Sequence, residues 1–205
     1  MITIDLGSSI VTYAVLFLIA ANGFSRGFRY MLSIAIFETI GYLLTVQAGD
    51  FLTGLVNRFY SNLPKLATFA IGRDPSSADA WGPVIPDNFQ SPLLLRVLVF
   101  VALLAVGIGY AWPWEGKPLT GFDFNKDRPL RLLGGLAGLY VGVLGISAAA
   151  TFWRDASQAV DFPPLLAAAL SGLPNFLPII PSIMASFGIL LLIIIIIRFD
   201  RVWKP

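Results

Sequence analysis

From Leu93 to Trp112 the chain reads L-L-L-R-V-L-V-F-V-A-L-L-A-V-G-I-G-Y-A-W, a run of 20 residues with Arg96 as its one charge. About 20 apolar residues are what an α-helix needs to cross a ~30 Å hydrocarbon layer. Four more runs approach that length: about Leu6 to Asn22, which is short, about Tyr30 to Ala48, about Leu132 to Phe152, and an isoleucine-rich block that opens after Pro181 and ends at Ile197. Pro181 suits the first turn of its helix, where the missing N–H costs nothing. The spacing therefore predicts an all-α integral membrane protein with about five transmembrane helices in one bundle.

Composition agrees, because charged residues make up 13% of the chain and hydrophobic ones 57%. Soluble domains carry about a quarter charged residues. The chain has neither cysteine nor histidine. That excludes disulfides, thiolate metal sites and any histidine ligand to haem, chlorophyll or zinc. No cofactor is expected beyond contacts with lipid or a lipid-like tail. A net charge of +2 gives no case for nucleic acid. The first run is expected to be kept as a helix: Asp5 stands where a signal peptide would be basic, and no small-x-small cleavage site follows.

Charge asymmetry sets an expected orientation. With five spans, one side collects Arg26, Arg29, Lys117, Lys126, Arg128, Arg131, Arg198, Arg201 and Lys204. The other side holds Arg58, Lys65, Arg73 and Arg154 among Asp50, Asp74, Asp79, Asp87, Asp155 and Asp161. Positive charge stays in the cytoplasm, so the N-terminus is expected outside and the C-terminus inside. Arg26, Gly27, Arg29 and Arg131 are the turn and topology residues. The tight run N-G-F-S-R-G-F-R at 22–29 reads as the cytoplasmic hairpin between helices one and two, its glycines permitting the reversal.

Two stretches between spans have their own character. Residues 50–63 place Phe51, Leu52, Leu55, Val56 and Phe59 at helical spacing and either continue helix two or lie along the interface. The Pro/Gly/Asp stretch after it reads as a loop without a core, with Trp81 and Phe89 resting at headgroup level or on a partner. Residues 161–181 are apolar but contain five prolines. A short interfacial helix from about Pro164 to Ser171, then an irregular hairpin, is expected there. A re-entrant element is the alternative, and it would need its backbone buried in protein.

Glu38 lies near the middle of the second span. An ionised carboxylate there costs several kcal/mol unless paired or hydrated. Its helical neighbours Ala35, Gly41, Tyr42 and Thr45 form a small, partly polar face, so Glu38 is expected to face another helix. It either fixes packing through a hydrogen bond, the reading favoured by a lone acid, or handles ions or protons. Arg96 is expected to snorkel to the outer interface, with an outer-loop aspartate as the other partner within reach. In helix four, Gly134, Gly138 and Gly142 form two successive G-x-x-x-G steps, with Gly145 close to that face. Such faces let backbones approach closely, so helix packing is expected; a lipid or cofactor tail is the other occupant that fits. The loop E-G-K-P-L-T-G-F-D-F-N-K-D-R-P-L-R sets topology or contacts anionic headgroups.

The order of these features resembles the colicin V production protein family of bacterial inner-membrane proteins. The resemblance runs over about residues 2–155. It rests on I-D-L at 4–6, the Arg26-Gly27-Phe28 turn, Gly41 in helix two, and the R-L-L-G-x-x-x-G-x-x-x-G helix from Arg131 to Gly142. The chain departs from the family at Val141, where a basic residue is common, at the Asp127-Arg128-Pro129 run, and in its fifth helix. The resemblance implies a four-helix membrane core over 1–155; residues 156–205, beyond it, read as a Pro-rich interfacial segment and a C-terminal span. It implies an envelope or export role without catalysis. The functional expectation is a non-enzymatic scaffold or accessory protein, partnered by lipids and by other membrane subunits or its own copies. Two alternatives stand beside it: an accessory subunit of a larger energy-transducing complex, photosynthetic or respiratory, and a small transporter or channel subunit using Glu38.

Overall fold

A computed structural model describes residues 6–86, 92–111, 128–159, 163, 167, 170, 172–174 and 176–202. Among the described residues there are six α-helices: α1 (Leu6–Arg26), α2 (Phe28–Tyr42), α3 (Gly49–Ala70), α4 (Leu93–Ala111), α5 (Arg128–Ala159) and α6 (Ile180–Val202). A π turn, Leu43–Gln47, prolongs α2, and a 3-10 turn, Pro75–Ser77, follows α3. No strand occurs among the described residues.

Among the described residues three segments are long and apolar enough to cross a membrane: Phe28–Gln47, Leu93–Ala111 and Leu130–Gln158. The expected first and last spans are apolar helices too, but their qualifying stretches, Ile10–Arg26 and Ile180–Ile194, are shorter. Within α5, residues 132–153 carry no charge. At 1.5 Å per residue they cover about 33 Å, close to the hydrocarbon thickness. Arg131 and the Arg154–Asp155 pair thus bracket an apolar slab.

Several boundaries differ from the sequence expectation. The first helix runs past Asn22 to Arg26, leaving Gly27 alone outside helix, with φ of +89°. Gly27 makes the reversal because that φ is open to glycine at little cost. Gly23 belongs to the helix, where it serves close packing and not the turn. α5 extends beyond 132–152 at both ends: Arg128 and Pro129 occupy its first turn, where proline is tolerated, and polar residues continue it outward to Ala159. Residues 49–70 neither continue α2 nor dissolve into loop. They form a separate helix, broken from the π turn at Ala48 (φ −119°, ψ 41°).

The loop after α3 is better ordered than its composition implied. The Asn57 amide donates to Ile85 O at 2.7 Å and accepts from Ile85 N–H at 2.9 Å. Trp81 packs on Tyr60 with ring centroids 5.2 Å apart, and the Trp81 backbone N–H donates to Ser61 O. Asp74 caps the 3-10 turn, and the Ser76 N–H bonded to it holds its carboxyl below the ordinary aspartate range. Phe89 lies outside the described residues, as do residues 113–127 of the basic loop. Of the expected helix at 164–171 only Ala167 and Leu170 are described. Both are helical, and the Ala167 N–H donates to Pro163 O.

α5 is the hub. α1 and α2 diverge from Gly27 with little mutual contact, and both pack along α5; α4 packs on the far side of α2. Phe100 of α4 meets Phe152 of α5 edge to face at 5.7 Å. Of the largest fully buried side chains, Met31, Tyr42, Thr45, Leu144 and Ser147 come from α2, its π turn and α5, and Ile180 from the start of α6, so the core is centred on the α2–α5 pair with the first turn of α6 anchored in it. Beyond Ile180, α6 approaches α5 less closely than α1 or α2 does.

Candidate functional site

The glycines of α5 face α1 directly. An ideal Cβ on Gly138 would lie 2.7 Å from Ile19 O, and one on Gly142 would lie 2.8 Å from a Leu16 methyl. One on Gly134 would lie 2.7 Å from the Gly27 carbonyl carbon. Gly23 answers Gly134 from the other side, as its own Cβ would lie 3.0 Å from the Gly134 carbonyl carbon. Two backbones therefore meet where only glycine fits on either helix. Gly134, Gly138 and Gly142 thus lie in the seam between α5 and α1.

Gly145 and Gly41 do something else. The nearest atom to a Cβ on Gly145 is Glu38 Oε1 at 3.0 Å, so this glycine makes room for the carboxyl. Gly41 turns to α4, where its Cβ would lie 3.3 Å from Phe100.

Glu38 faces α5, as its small and polar neighbours implied, and is 2% exposed. Around it lies a belt of hydroxyls joining α2 to α5. Thr39 donates to Ala35 O at 2.6 Å and accepts from the Tyr140 hydroxyl at 2.7 Å. Tyr42 bonds Ser147 at 3.1 Å, and Thr45 donates to Gly41 O at 2.7 Å. These hydroxyls have partners within the bundle. Glu38 Oε2 is buried and has none. The belt can thus offer a carboxyl oxygen to a proton, a cation or a donor from outside this chain. Among the described residues no group of three or more acidic, cysteine or histidine side chains is placed to hold a metal.

Arg96 does not snorkel. It pairs with Asp155 at 2.6 Å, donates through Nε to Thr45 O at 2.5 Å, and sits 5.5 Å from the Phe152 ring centroid. The guanidinium thereby joins α4, the π turn of α2, and α5. The pairing wins over snorkelling because Asp155 stands at the same end of the slab and gives the charge a partner within the protein. Sequence reasoning had both residues on the outer side; only their facing directions were missing.

At the opposite end, Arg131 lies over Phe24 at 4.4 Å and Arg26 over Tyr30 at 4.7 Å. Arg29 is exposed. These residues lie around the Gly27 turn. The second feature that sequence reasoning missed is on the other flank of α5. Tyr140 and Phe187 stack at 3.9 Å and 10°. Alongside them a groove of about 450 Å³ opens between α5 and α6, lined by Leu136, Leu139, Val143, Ile183 and Leu190, with Ser182 and Ser186.

No family model matches the chain, nor does any curated protein or solved structure.

Proposed function

We propose that the protein is a non-enzymatic, five-span scaffold or accessory protein of a bacterial inner membrane, akin to the colicin V production family, acting through the α5–α6 flank. The observation that carries this reading is the exposure of α6. Ile189, Leu192, Ile193 and Ile196 all stand free of the bundle, while the other face is held by buried Ile180, the Tyr140–Phe187 stack and partly buried Ile183, Met184 and Leu191 beside an open groove. The exposed face of such an apolar helix is available to a partner helix or lipid. An accessory subunit of a larger energy-transducing complex would use the same flank. A chain without histidine offers no nucleophile–histidine pair, which supports a non-catalytic role.

The orientation proposed is N-terminus outside and C-terminus cytoplasmic. A cysteine at Ser77, in a chain that has none of its own, is expected to label from outside; labelling only after permeabilisation would invert the topology. Purification in mild detergent is expected to retain a stoichiometric membrane partner, and a photo-crosslinker at Ile193 to give a discrete protein adduct. Lipid adducts alone, with no co-purifying chain, would end the scaffold reading.

The free oxygen of Glu38 favours a second reading, a small transporter or channel subunit. Glu38→Gln is then expected to abolish a measured ion flux in vesicles while assembly stays intact. Unchanged flux removes this reading.

A further inference from the structure

α3 has an apolar stripe that nothing in the described structure covers. Phe51, Leu55, Phe59, Leu66 and Phe69 are all exposed, while Leu52 on the adjoining arc is 6% exposed. At 100° per residue the five fall within about 80° of helix surface. Asn62 lies inside the stripe, but its amide folds back to donate to Arg58 O at 2.8 Å. Arg58 and Lys65 flank one edge of the stripe.

The opposite arc is occupied. Asn57 and Tyr60 lie there, and the loop is clamped over them by the paired Asn57–Ile85 hydrogen bonds and the Trp81 ring. Pro64 removes one backbone donor from the helix, and close to this break Ser61 O accepts from the Trp81 backbone N–H. The loop therefore fixes which face of α3 turns outward. Helix and loop form a plate with a polar back, an apolar front and a basic edge.

The plate begins one residue after the π turn that ends the Phe28–Gln47 span, so it emerges at the boundary of the apolar slab. A helix leaving that boundary with an apolar stripe and cations beside it has the form of an interfacial element. Basic residues at that depth lie within reach of lipid phosphate. We propose that α3 lies in the membrane interface, with Phe51, Leu55, Phe59, Leu66 and Phe69 among the acyl chains and Arg58 and Lys65 on anionic headgroups. The arrangement would hold the loop flat against the outer surface and leave Trp81, which is half-exposed, near headgroup level.

The absence of native cysteine makes the test direct. The full-length protein, as Phe59→Cys, Leu66→Cys and, on the loop, Asp79→Cys, is spin-labelled and reconstituted in vesicles. One set is phosphatidylcholine alone; the other contains phosphatidylglycerol. Labels at 59 and 66 are expected to collide more with dissolved oxygen than with a water-soluble nickel chelate, and the label at 79 to show the reverse. Adding phosphatidylglycerol is expected to move the 59 and 66 labels deeper, and R58Q/K65Q to cancel that shift. Nickel-dominated collisions at both 59 and 66 would overturn the proposal, and shielding that then arises only in native membranes would assign the stripe to a protein partner. Spin–spin broadening that grows with protein density would assign it to a second copy. Equal depth in the two lipids would overturn the headgroup assignment. Two label sites are used so that one misfolded variant cannot decide the result.

Discussion

The two flanks of α5 are built on opposite principles. Toward α1, glycine meets glycine and backbone meets backbone, with Ile19 O where a Gly138 Cβ would stand. Toward α6, the contacts are side chains: buried Ile180 at the helix start, then the stacked Tyr140 and Phe187, beside an open groove. The first flank can hold one register only, because van der Waals contact is gained at every turn and lost on any slip. The second can open, or accept another helix, without disturbing the first. A scaffold needs this division between a closed seam that stabilises the bundle and a loose one that recruits.

The largest effect is expected where the seam is tightest. Gly138→Leu forces a side chain into Ile19 O at 2.7 Å, and backbone cannot yield as a flexible side chain would. Overpacking of this kind costs about 3 kcal/mol or more. Folded yield in membranes and the midpoint of an SDS titration should both collapse. The neighbouring Gly135 sharpens the point. Its Cβ would meet its nearest atom at an ordinary 3.7 Å, so Gly135→Ala should fold normally. A tolerated Gly138→Leu would dissolve the contrast between the two flanks.

The next effect concerns how α4 is tied to the closed half. Arg96 is largely shielded, with a side chain 14% exposed, whereas Asp155 is 38% exposed. Breaking a fully buried pair costs about 3–5 kcal/mol; partial solvation of Asp155 brings the expectation for Arg96→Gln down to about 2 kcal/mol. Asp155→Asn should cost less, because Arg96 keeps Thr45 O. A double-mutant cycle by SDS titration checks this, and additivity would show that the two residues do not act as a pair.

How much of this was legible before the structure depends on the kind of signal. The α4 limits were readable, since Pro92 and the end of the aliphatic run mark them. The direction of Glu38 was readable too, because a face of Ala35, Tyr42 and Thr45 does not suit lipid. The end of α1 was misplaced because a glycine in a helical pattern can mean turn or close approach, and only the partner at Gly134 tells which. The C-terminal end of α5 was lost because R-D-A-S-Q-A is polar helix beyond the slab, where hydropathy gives no sign of it. The Arg96–Asp155 pair is a tertiary fact. Charge and depth pointed to one end of the bundle, but the choice of partner needed helix rotation. The Tyr140–Phe187 stack was similarly hidden, as aromatic residues are frequent in such helices.

On the loose flank the expected effects are small, which is what separates it from the seam. Phe187→Ala removes the stacked ring, worth about 0.5–1.5 kcal/mol beyond its area. The SDS midpoint of the bundle should move little, but crosslinking from Ile193 should fall, because α6 loses the stacked contact that fixes its middle against α5. Gly188 is the limiting case. Nothing lies within 4 Å of a Cβ there, in contrast to every glycine of the α1 seam. Gly188→Leu should change stability by no more than about 0.5 kcal/mol. Its effect on partner capture then decides what covers that side of α6. Unchanged stability with lost capture places the partner against Gly188, while unchanged stability with unchanged capture turns that side to lipid. A loss of several kcal/mol would mean that α6 packs as tightly as α1, and the two flanks of α5 would no longer differ in kind.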